Sequence, residues 1–138
     1  MQYMLAIYGD ERAAESMPRE RMTEIVNAYM AYTQALRDAK ALVGSNRLRP
    51  TSAATTVRVA DGRIQVFDGP FAETKEQLGG YYLIDCKDLD EALAWAKKIP
   101  WPGGAVEVRP VMDYEAADAG IELGTRVADG LDSLRHRV

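Results

Sequence analysis

Residues Asp68–Ile84, with the sequence DGPFAETKEQLGGYYLI, concentrate glycine and proline at both ends of a short charged segment. Gly69 can adopt a positive φ, and Pro70 fixes its own φ at about −65° and lacks an amide donor. The pair Gly79-Gly80 allows another backbone segment to approach closely. Because the charged segment between these positions is too short for a full helix, we predict a shaped loop that joins two strands. Loops of this kind on a rigid scaffold often carry function.

The composition is that of an ordinary globular protein with one domain. The chain has 138 residues, of which 47% are hydrophobic and 28% are charged, and this is enough to bury a core. Its net charge is −4, and the 17 basic residues are interspersed among 21 acidic ones, so we expect no nucleic-acid partner. Neither a transmembrane run of about 18 apolar residues nor a signal-peptide pattern is present, so we expect no membrane partner.

Cysteine and histidine are each used once. The single cysteine, Cys86, excludes an internal disulfide and is typical of the reducing cytoplasm, where we expect the protein to be located. The single histidine, His136, lies close to the end of the chain, so a His/Cys metal cluster is not available. Nucleotide-binding and metalloprotease motifs are also missing, and we predict that the chain uses no metal and no cofactor.

The segments on both sides of the quoted stretch have clear periodicity. Helical spacing predicts helices over about 19–40 and 89–98, and a polar loop is expected from residue 9 to residue 17. Asp61-Gly62, between two β-rich runs, predicts a hairpin that leads directly into Asp68. Alternating or apolar runs predict the strands, which are expected over residues 2–8, 42–48, 55–59, 64–67, 80–86 and 105–111.

This order of elements predicts an α+β fold. A β-α-β unit, an inserted β-hairpin and a second β-α-β unit describe a ferredoxin-like split βαβ sandwich, with both helices on one face of an antiparallel sheet. The other face would carry Met4, Tyr8, Tyr82 and Ile84, or their alternates. Because a bare apolar face on a soluble protein implies a partner, we predict a homodimer that packs sheet against sheet.

The quoted stretch resembles the signature of the DGPF-domain, YCII-related proteins. The flanking segments Tyr3–Asp10, Thr56–Arg58 and Val106–Pro110 agree with this resemblance. The resemblance covers residues 1–112, which we treat as one domain. It leaves residues 113–138 as an apolar C-terminal tail that packs on its own subunit or on a partner. The resemblance also implies a dimeric α/β-barrel, in which two ferredoxin-like protomers enclose a central cleft.

The resemblance implies less about activity. Members of the family are mostly uncharacterised bacterial proteins, often described beside genes for extracytoplasmic-function sigma factors. Related YCII proteins carry a proposed His–Asp pair, and one branch is linked to dehalogenating lyase chemistry on muconate-type compounds. This chain has no histidine before His136, so the histidine of that pair is missing and the mechanism is not carried over.

Arg58 is the candidate for binding an anion. It lies between Val57 and Val59, which we expect to face the core, so its guanidinium would project from the opposite face. There it would bind a carboxylate or phosphate with two hydrogen bonds. The competing interpretation is a structural salt bridge to Asp68 or Glu76.

The remaining candidates also have two interpretations each. Asp68 either caps the turn that follows it or acts with Glu76 as an acid–base group. Lys75 and Glu76 either form an exposed ion pair or contact the substrate. Tyr8 and Tyr82 either pack as ordinary aromatic residues or line the cleft, and one residue of the Tyr81-Tyr82 pair should face the helices. Cys86 is expected to be an inert buried thiol.

These observations predict a homodimer that binds a small anionic organic molecule in a cleft between the two sheets. If the protein is an enzyme, the accessible chemistry is a cofactor-free lyase or isomerase reaction, which needs only a base, an acid and an oriented substrate. The alternative is a non-catalytic ligand-sensing or protein-interaction module, linked to sigma-factor regulation. A purely structural dimerisation domain is a third interpretation.

Overall fold

The computed structural model describes residues 1–114, and the tail expected from residue 113 onward therefore lies almost entirely outside the described residues. The elements are, in chain order, β1 (Gln2–Gly9), α1 (Glu11–Glu15), α2 (Arg19–Asp38), β2 (Leu42–Arg47), a 3₁₀ turn (Thr51–Ala53), β3 (Thr55–Ala60), β4 (Arg63–Asp68), β5 (Gln77–Asp85), α3 (Leu89–Lys97) and β6 (Ala105–Pro110).

Two antiparallel sheets are formed. The larger has the strand order β2-β5-β1-β6, and β3 pairs with β4 in a separate two-stranded sheet. Helix α2 connects β1 to β2 and helix α3 connects β5 to β6, so each βαβ unit is split by a strand of the other unit. The predicted α+β fold of ferredoxin-like type, with an inserted hairpin, is therefore confirmed.

The core lies between the larger sheet and the two long helices. The register places Tyr3 opposite Ile84 and Leu5 opposite Tyr82, and these side chains pack against Leu36 of α2 and other buried residues of the helices. Leu5, Leu36 and Ile84 are fully buried. The buried residues of α2 recur seven and four positions apart, at Ile25, Tyr32 and Leu36, because these spacings keep a helix face toward the sheet.

The opposite face of the larger sheet carries Met4 and Tyr8 from β1, as expected. On β5, however, Tyr82 and Ile84 belong to the helical face, and their neighbours Tyr81 and Leu83 take the bare face. The expectation that the two adjacent tyrosines separate is therefore confirmed, and Tyr82 is the one that faces the helices.

The polar loop expected over residues 9–17 is wrong in part, since it contains the five-residue helix α1. The carboxylate of Asp10 accepts a hydrogen bond from the Arg12 amide at 2.9 Å and so caps the helix. No residue of α1 is buried, which explains why the apolar pattern gave no sign of a helix. Strand β5 also begins three residues earlier than expected, at Gln77.

The quoted stretch bends as its composition predicts. Gly69 has a φ of +101°, and its amide donates to the Ala54 carbonyl at 2.7 Å. The Thr56 hydroxyl in turn donates to the Gly69 carbonyl at 2.7 Å. At Gly80, an added Cβ would lie 2.8 Å from the backbone oxygen of Asn46, so this position needs glycine for β2 to approach.

Candidate functional site

A cavity of about 830 Å³ lies on the helical side of the larger sheet, between α2 and the strands β2 and β5. We call it the α2 cavity. Helix α1 and residues Leu48–Pro50 form one end, and Trp101 lies at another part of the wall. The second half of the quoted stretch, from Gln77 to Tyr82, therefore helps to build the wall of the cavity, whereas its first half does not reach it.

Apolar side chains dominate the helical wall of the α2 cavity. They come from α2, from β1 and from the segment that follows α3, and are Ile7, Met22, Ile25, Val26, Tyr29, Met30 and Trp101. Three arginines, Arg37, Arg47 and Arg49, also line the cavity, and none of them forms an ion pair with another residue of the range 1–114. The cavity thus combines an apolar wall with unpaired positive charge.

A chain of hydrogen bonds fixes the tyrosines at the inner end of the cavity. The Thr33 hydroxyl donates its single proton to the Tyr29 carbonyl oxygen at 2.8 Å. The Tyr82 hydroxyl, 2.8 Å from the Thr33 oxygen, must therefore be the donor in that contact. Tyr82 also meets Tyr32 edge to face, with ring centroids 5.1 Å apart. Since its proton is already committed, Tyr82 is placed as a packing residue rather than as an acid.

Tyr29 differs from Tyr82, because the Tyr29 hydroxyl has no hydrogen-bond partner among the described residues. No fully buried polar side-chain atom is left unpaired in residues 1–114, so the Tyr29 hydroxyl must be accessible from the cavity. Burial raises the pKa of Tyr29 to about 12, although the positive charge of Arg47 acts in the opposite direction. Tyr29 is therefore protonated at neutral pH and can donate a hydrogen bond to an anion beside Arg47.

Glu11 lines the cavity and attaches the short helix α1 to its surroundings. Its carboxylate accepts hydrogen bonds from the amide and the hydroxyl of Thr51, both at 2.7 Å. The Glu11 amide donates to the side-chain oxygen of Gln77 at 3.0 Å. These contacts attach α1 to the 3₁₀ turn and to the start of β5. Both Glu11 carboxylate oxygens therefore accept a hydrogen bond. The other glutamate that lines the cavity is Glu15, and its carboxylate has no hydrogen bond or ion pair with described residues.

The hairpin places Arg58 and Asp68 apart from the α2 cavity and from each other. Arg58 lies opposite Gln65 and Asp68 opposite Thr55, so the alternation along β3 puts them on opposite faces of the hairpin. Val57 and Val59, expected to face the core, are instead 60% and 49% exposed. Within residues 1–114 the Arg58 guanidinium forms no ion pair, and the Asp68 side chain does not cap its turn.

The other candidates are distributed between the two faces of the larger sheet and the loop beside it. Lys75 and Glu76 are exposed in the segment before β5, and they form no ion pair with each other. Tyr8 lies on the bare face of the larger sheet. Of the six candidates, the structure brings Tyr82 to the α2 cavity. The other five stay predictions for a cleft that only a second copy of the chain would complete.

Tyr29 and Arg47 are the cavity residues that the sequence reasoning missed. Tyr29 belongs to the apolar stripe of α2, and such a residue is usually part of the core. Arg47 ends a weak strand, and its position depends on the approach of β2 to Gly80. The sequence feature that pointed to this position was the Gly79-Gly80 pair. It predicted that another backbone segment approaches closely, but it did not identify that segment as β2.

The fold and the cavity define an α+β protein of ferredoxin-like type with a small-molecule-sized pocket. A family model of the YCII-related domain matches residues 1–115, and the chain belongs to the YCII-related family. Uncharacterized protein R00369 of Rhizobium meliloti (strain 1021) is 40% identical over 121 residues, which cover 86% of this chain and 98% of that relative. The family is thus established, and the function has to be argued from the site.

Two further properties of the described residues bear on the function. Among residues 1–114, none of the helices combines the length and the apolar character needed to cross a membrane. In the same residues, no group of three His, Cys, Asp or Glu side chains is arranged to hold a metal ion.

Proposed function

We propose that the chain binds a small organic anion with an apolar body in the α2 cavity. The volume of about 830 Å³ lies within the range of about 300–1,000 Å³ that is usual for ligand sites. The observation that carries the proposal is the pair formed by Arg47 and Tyr29. A guanidinium and a protonated hydroxyl share a largely apolar cavity, and neither has a hydrogen-bond partner among the described residues.

The chemistry of this pair sets the class of ligand. An arginine guanidinium matches the geometry of a carboxylate or phosphate, and a hydrogen bond to a charged group contributes about 1.5–3 kcal/mol. The apolar side chains of α2 and Trp101 favour an aromatic or aliphatic body next to the charged group. A compound with both parts fits the cavity better than a purely polar anion or a neutral hydrocarbon.

A homodimer belongs to the same proposal. The bare face of the larger sheet carries Met4, Tyr8, Tyr81 and Leu83, and packing against the same face of a second copy would cover these side chains. Because the α2 cavity lies on the other side of the sheet, such a dimer leaves the cavity accessible. The cleft between the sheets, with Arg58 as its anion-binding residue, is the competing location for the ligand.

A cofactor-free lyase or isomerase is the second candidate function, and the presence of Tyr29, Arg47 and Glu15 in the lining of one cavity favours it. Tyr29 would donate a proton or hydrogen bond to the substrate, and Arg47 would stabilise negative charge that develops on an oxygen. Glu15 would be the base, since its carboxylate has no partner among the described residues. Substitution of Glu15 by glutamine should then abolish turnover of a bound anion without reducing its affinity.

The binding proposal is tested with two fluorescent probes that share an aromatic body. The first, 8-anilinonaphthalene-1-sulfonate, is an anion, and the second, N-phenyl-1-naphthylamine, lacks the sulfonate. We expect Arg47→Gln to weaken binding of the anion by about tenfold or more, and to leave the neutral probe unchanged. Arg58→Gln is the matched control, since it removes the same charge from the hairpin.

The outcomes separate the two locations of the site. Loss of anion binding in Arg47→Gln alone supports the α2 cavity. Loss in Arg58→Gln alone would place the anion on the hairpin and overturn the proposal. Equal affinities for the anion in both variants and the unsubstituted protein would overturn both locations. Thermal melting of each variant checks that the fold is unchanged.

A further inference from the structure

Trp101 is the largest aromatic side chain in the lining of the α2 cavity. It lies in the segment between α3 and β6, where one proline precedes it and another follows it. Pro102 restricts the backbone of Trp101 to extended conformations, and Pro100 fixes its own φ. The backbone that carries the indole is therefore restricted before any ligand binds, which lowers the entropy cost of a contact with a ligand.

The edge of the indole that carries the N–H lies against Gly9, the last residue of β1. A Cβ added to Gly9 would lie 2.6 Å from Nε1 of Trp101 and 3.2 Å from its Cε2. Because a real Cβ does not approach other atoms so closely, position 9 needs glycine for the indole to lie there. Gly9 also lines the α2 cavity, so this edge of the ring lies at the cavity wall.

The indole N–H of Trp101 has no hydrogen-bond partner among residues 1–114. No fully buried polar side-chain atom of these residues lacks a partner, so the N–H is not sealed inside the protein. The side chain is half-buried, and it also lines a second cavity of about 260 Å³ beside the loop that precedes β6. Since an indole nitrogen can only donate, the group that satisfies it must be an acceptor. A ligand in the α2 cavity can bring that acceptor.

Arg47 and Trp101 lie at different parts of the cavity wall. Arg47 pairs with Gly80 of β5, and Gly80 pairs with Ile7 of β1, two positions before Gly9. Strands lie about 4.8 Å apart and rise about 3.4 Å per residue, so the backbones of Arg47 and Gly9 are about 12 Å apart. A ligand whose anionic group is held by Arg47 can therefore extend its body across the cavity toward the indole N–H.

We propose that Trp101 determines which anions bind in the α2 cavity. Its ring contacts an aromatic body, and its N–H donates a hydrogen bond to an acceptor at the end of the ligand that is remote from the anionic group. This inference rests on the proposed binding of an organic anion and specifies the class of that anion. The ligand is an aromatic acid with a hydroxyl or carbonyl oxygen at its far end. A ligand with an apolar far end would leave the N–H without an acceptor and bind less tightly.

Two naphthoates test this assignment by calorimetric titration of the full chain. In 6-hydroxy-2-naphthoate an oxygen lies at the end of the ring system opposite the carboxylate, and 2-naphthoate lacks this oxygen. We expect the unsubstituted protein to bind the hydroxylated compound about fivefold more tightly, which is typical of one neutral hydrogen bond. Trp101→Phe keeps an aromatic ring and removes the N–H, so it should bind the two compounds equally well.

Three further variants show whether the preference comes from the position of the indole N–H. Trp95→Phe is the matched control, because Trp95 is also half-buried but does not line the cavity, and it should keep the fivefold preference. Gly9→Ala keeps the indole but displaces the edge that carries the N–H, so it should lose the preference. Arg47→Gln should weaken binding of both compounds and leave the ratio of their affinities unchanged.

The possible results separate this inference from the binding site on which it rests. If the unsubstituted protein binds the two naphthoates equally well and Arg47→Gln weakens both, the inference is wrong and the binding site stands. A preference that survives in Trp101→Phe would mean that another group recognises the hydroxyl, and would also overturn the inference. Affinities that do not change in Arg47→Gln would overturn the proposed site and this inference together.

The indole N–H signals provide a second test that needs no substitution in the cavity. The chain has two tryptophans, so a nitrogen-15-labelled sample gives two indole signals, and Trp95→Phe assigns them. Because a hydrogen bond deshields its proton, we expect the Trp101 signal to move downfield with 6-hydroxy-2-naphthoate, and to move less with 2-naphthoate. Equal movements with the two compounds would contradict the proposed hydrogen bond.

Discussion

The larger sheet and the hairpin are both antiparallel, but only the larger sheet has a second layer within the described chain. In the larger sheet, Leu5 of β1 and Ile84 of β5 are fully buried beneath the helices. In the hairpin, every residue of β4 is exposed. Strand pairing of the same type therefore coexists with opposite degrees of burial. The comparison shows that backbone pairing between two strands does not by itself bury their side chains.

The quoted stretch spans the two regions and serves each in a different way. Its first residues, Asp68 and Gly69, end the hairpin and turn the chain. Its second part, from Gln77 to Ile84, belongs to β5 of the larger sheet, and residues between Gln77 and Tyr82 form part of the wall of the α2 cavity. We therefore propose that the ligand binds in the larger region and not on the hairpin.

The largest expected difference is in the free energy of unfolding, between removal of a buried and removal of an exposed apolar side chain. Leu36→Ala, in the core under α2, should lower the free energy of unfolding by about 2–5 kcal/mol, because it removes buried methyl groups and leaves a cavity. Phe71→Ala, just beyond the hairpin, should change it by less than about 0.5 kcal/mol, since Phe71 is 71% exposed. Urea unfolding measures both. Similar losses for the two variants would break the contrast between the regions.

The next contrast lies between two adjacent glycines of the quoted stretch. Gly80→Ala would place a Cβ 2.8 Å from the Asn46 oxygen, so β2 must shift, at a cost of about 1–3 kcal/mol. At Gly79 the nearest atom to an added Cβ is the Ile7 oxygen, 3.9 Å away, and Gly79→Ala should be close to neutral. Gly80→Ala should also weaken binding of the anionic probe, because Arg47 follows Asn46.

Urea unfolding and probe titration of both variants test this pair. A neutral Gly80→Ala with unchanged probe affinity would show that β2 does not depend on the close approach. It would also remove the physical reason why the quoted stretch needs glycine at that position.

The smallest expected effect is a pH dependence of the stability, which comes from tyrosines of α2 in the larger region. Burial raises the pKa of Tyr29 to about 12, above the value of about 10 for an unfolded tyrosine. The protonated form therefore stabilises the fold fully below pH 10, and this contribution is lost as the pH rises from 10 toward 12. Burial also raises the pKa of Tyr32, so the same direction applies there.

Thermal melting between pH 8 and pH 12 checks this prediction. The melting temperature of Tyr29→Phe should fall less steeply above pH 10 than that of the unsubstituted protein, because phenylalanine cannot ionise. Parallel curves for the two proteins would contradict the raised pKa of Tyr29. Arg58→Gln, on the hairpin, serves as the control in which the steep fall is retained.

Much of the fold could be predicted because each element has its own local pattern. The alternation of β1, the helical spacing of α2 and the Asp61-Gly62 turn each depend on neighbouring residues. Helix α1 could not be predicted from apolar spacing, since it buries nothing and begins at the cap formed by Asp10. The start of β5 at Gln77 was likewise hidden, because the charged residues before it do not alternate.

The site was harder to predict, because it depends on contacts between distant segments. Arg58 and Asp68 stood out in the sequence, yet the register of the hairpin places them on opposite faces. Arg47 and Tyr29 are separated by 18 positions and line the same cavity only after β2 has paired with β5 at Gly80. The sequence predicts a small anion bound by Arg58, whereas the site proposed from the structure uses Arg47, and both stay predictions.

The central claim is that the anionic ligand binds in the α2 cavity and not on the hairpin. Hydrogen exchange on the unsubstituted protein tests this claim directly. Addition of 8-anilinonaphthalene-1-sulfonate should slow amide exchange in β2 and in the first half of β5, and leave the hairpin unchanged. Slower exchange in β3 and β4 on addition of the probe, with β2 and β5 indifferent to it, would contradict the claim.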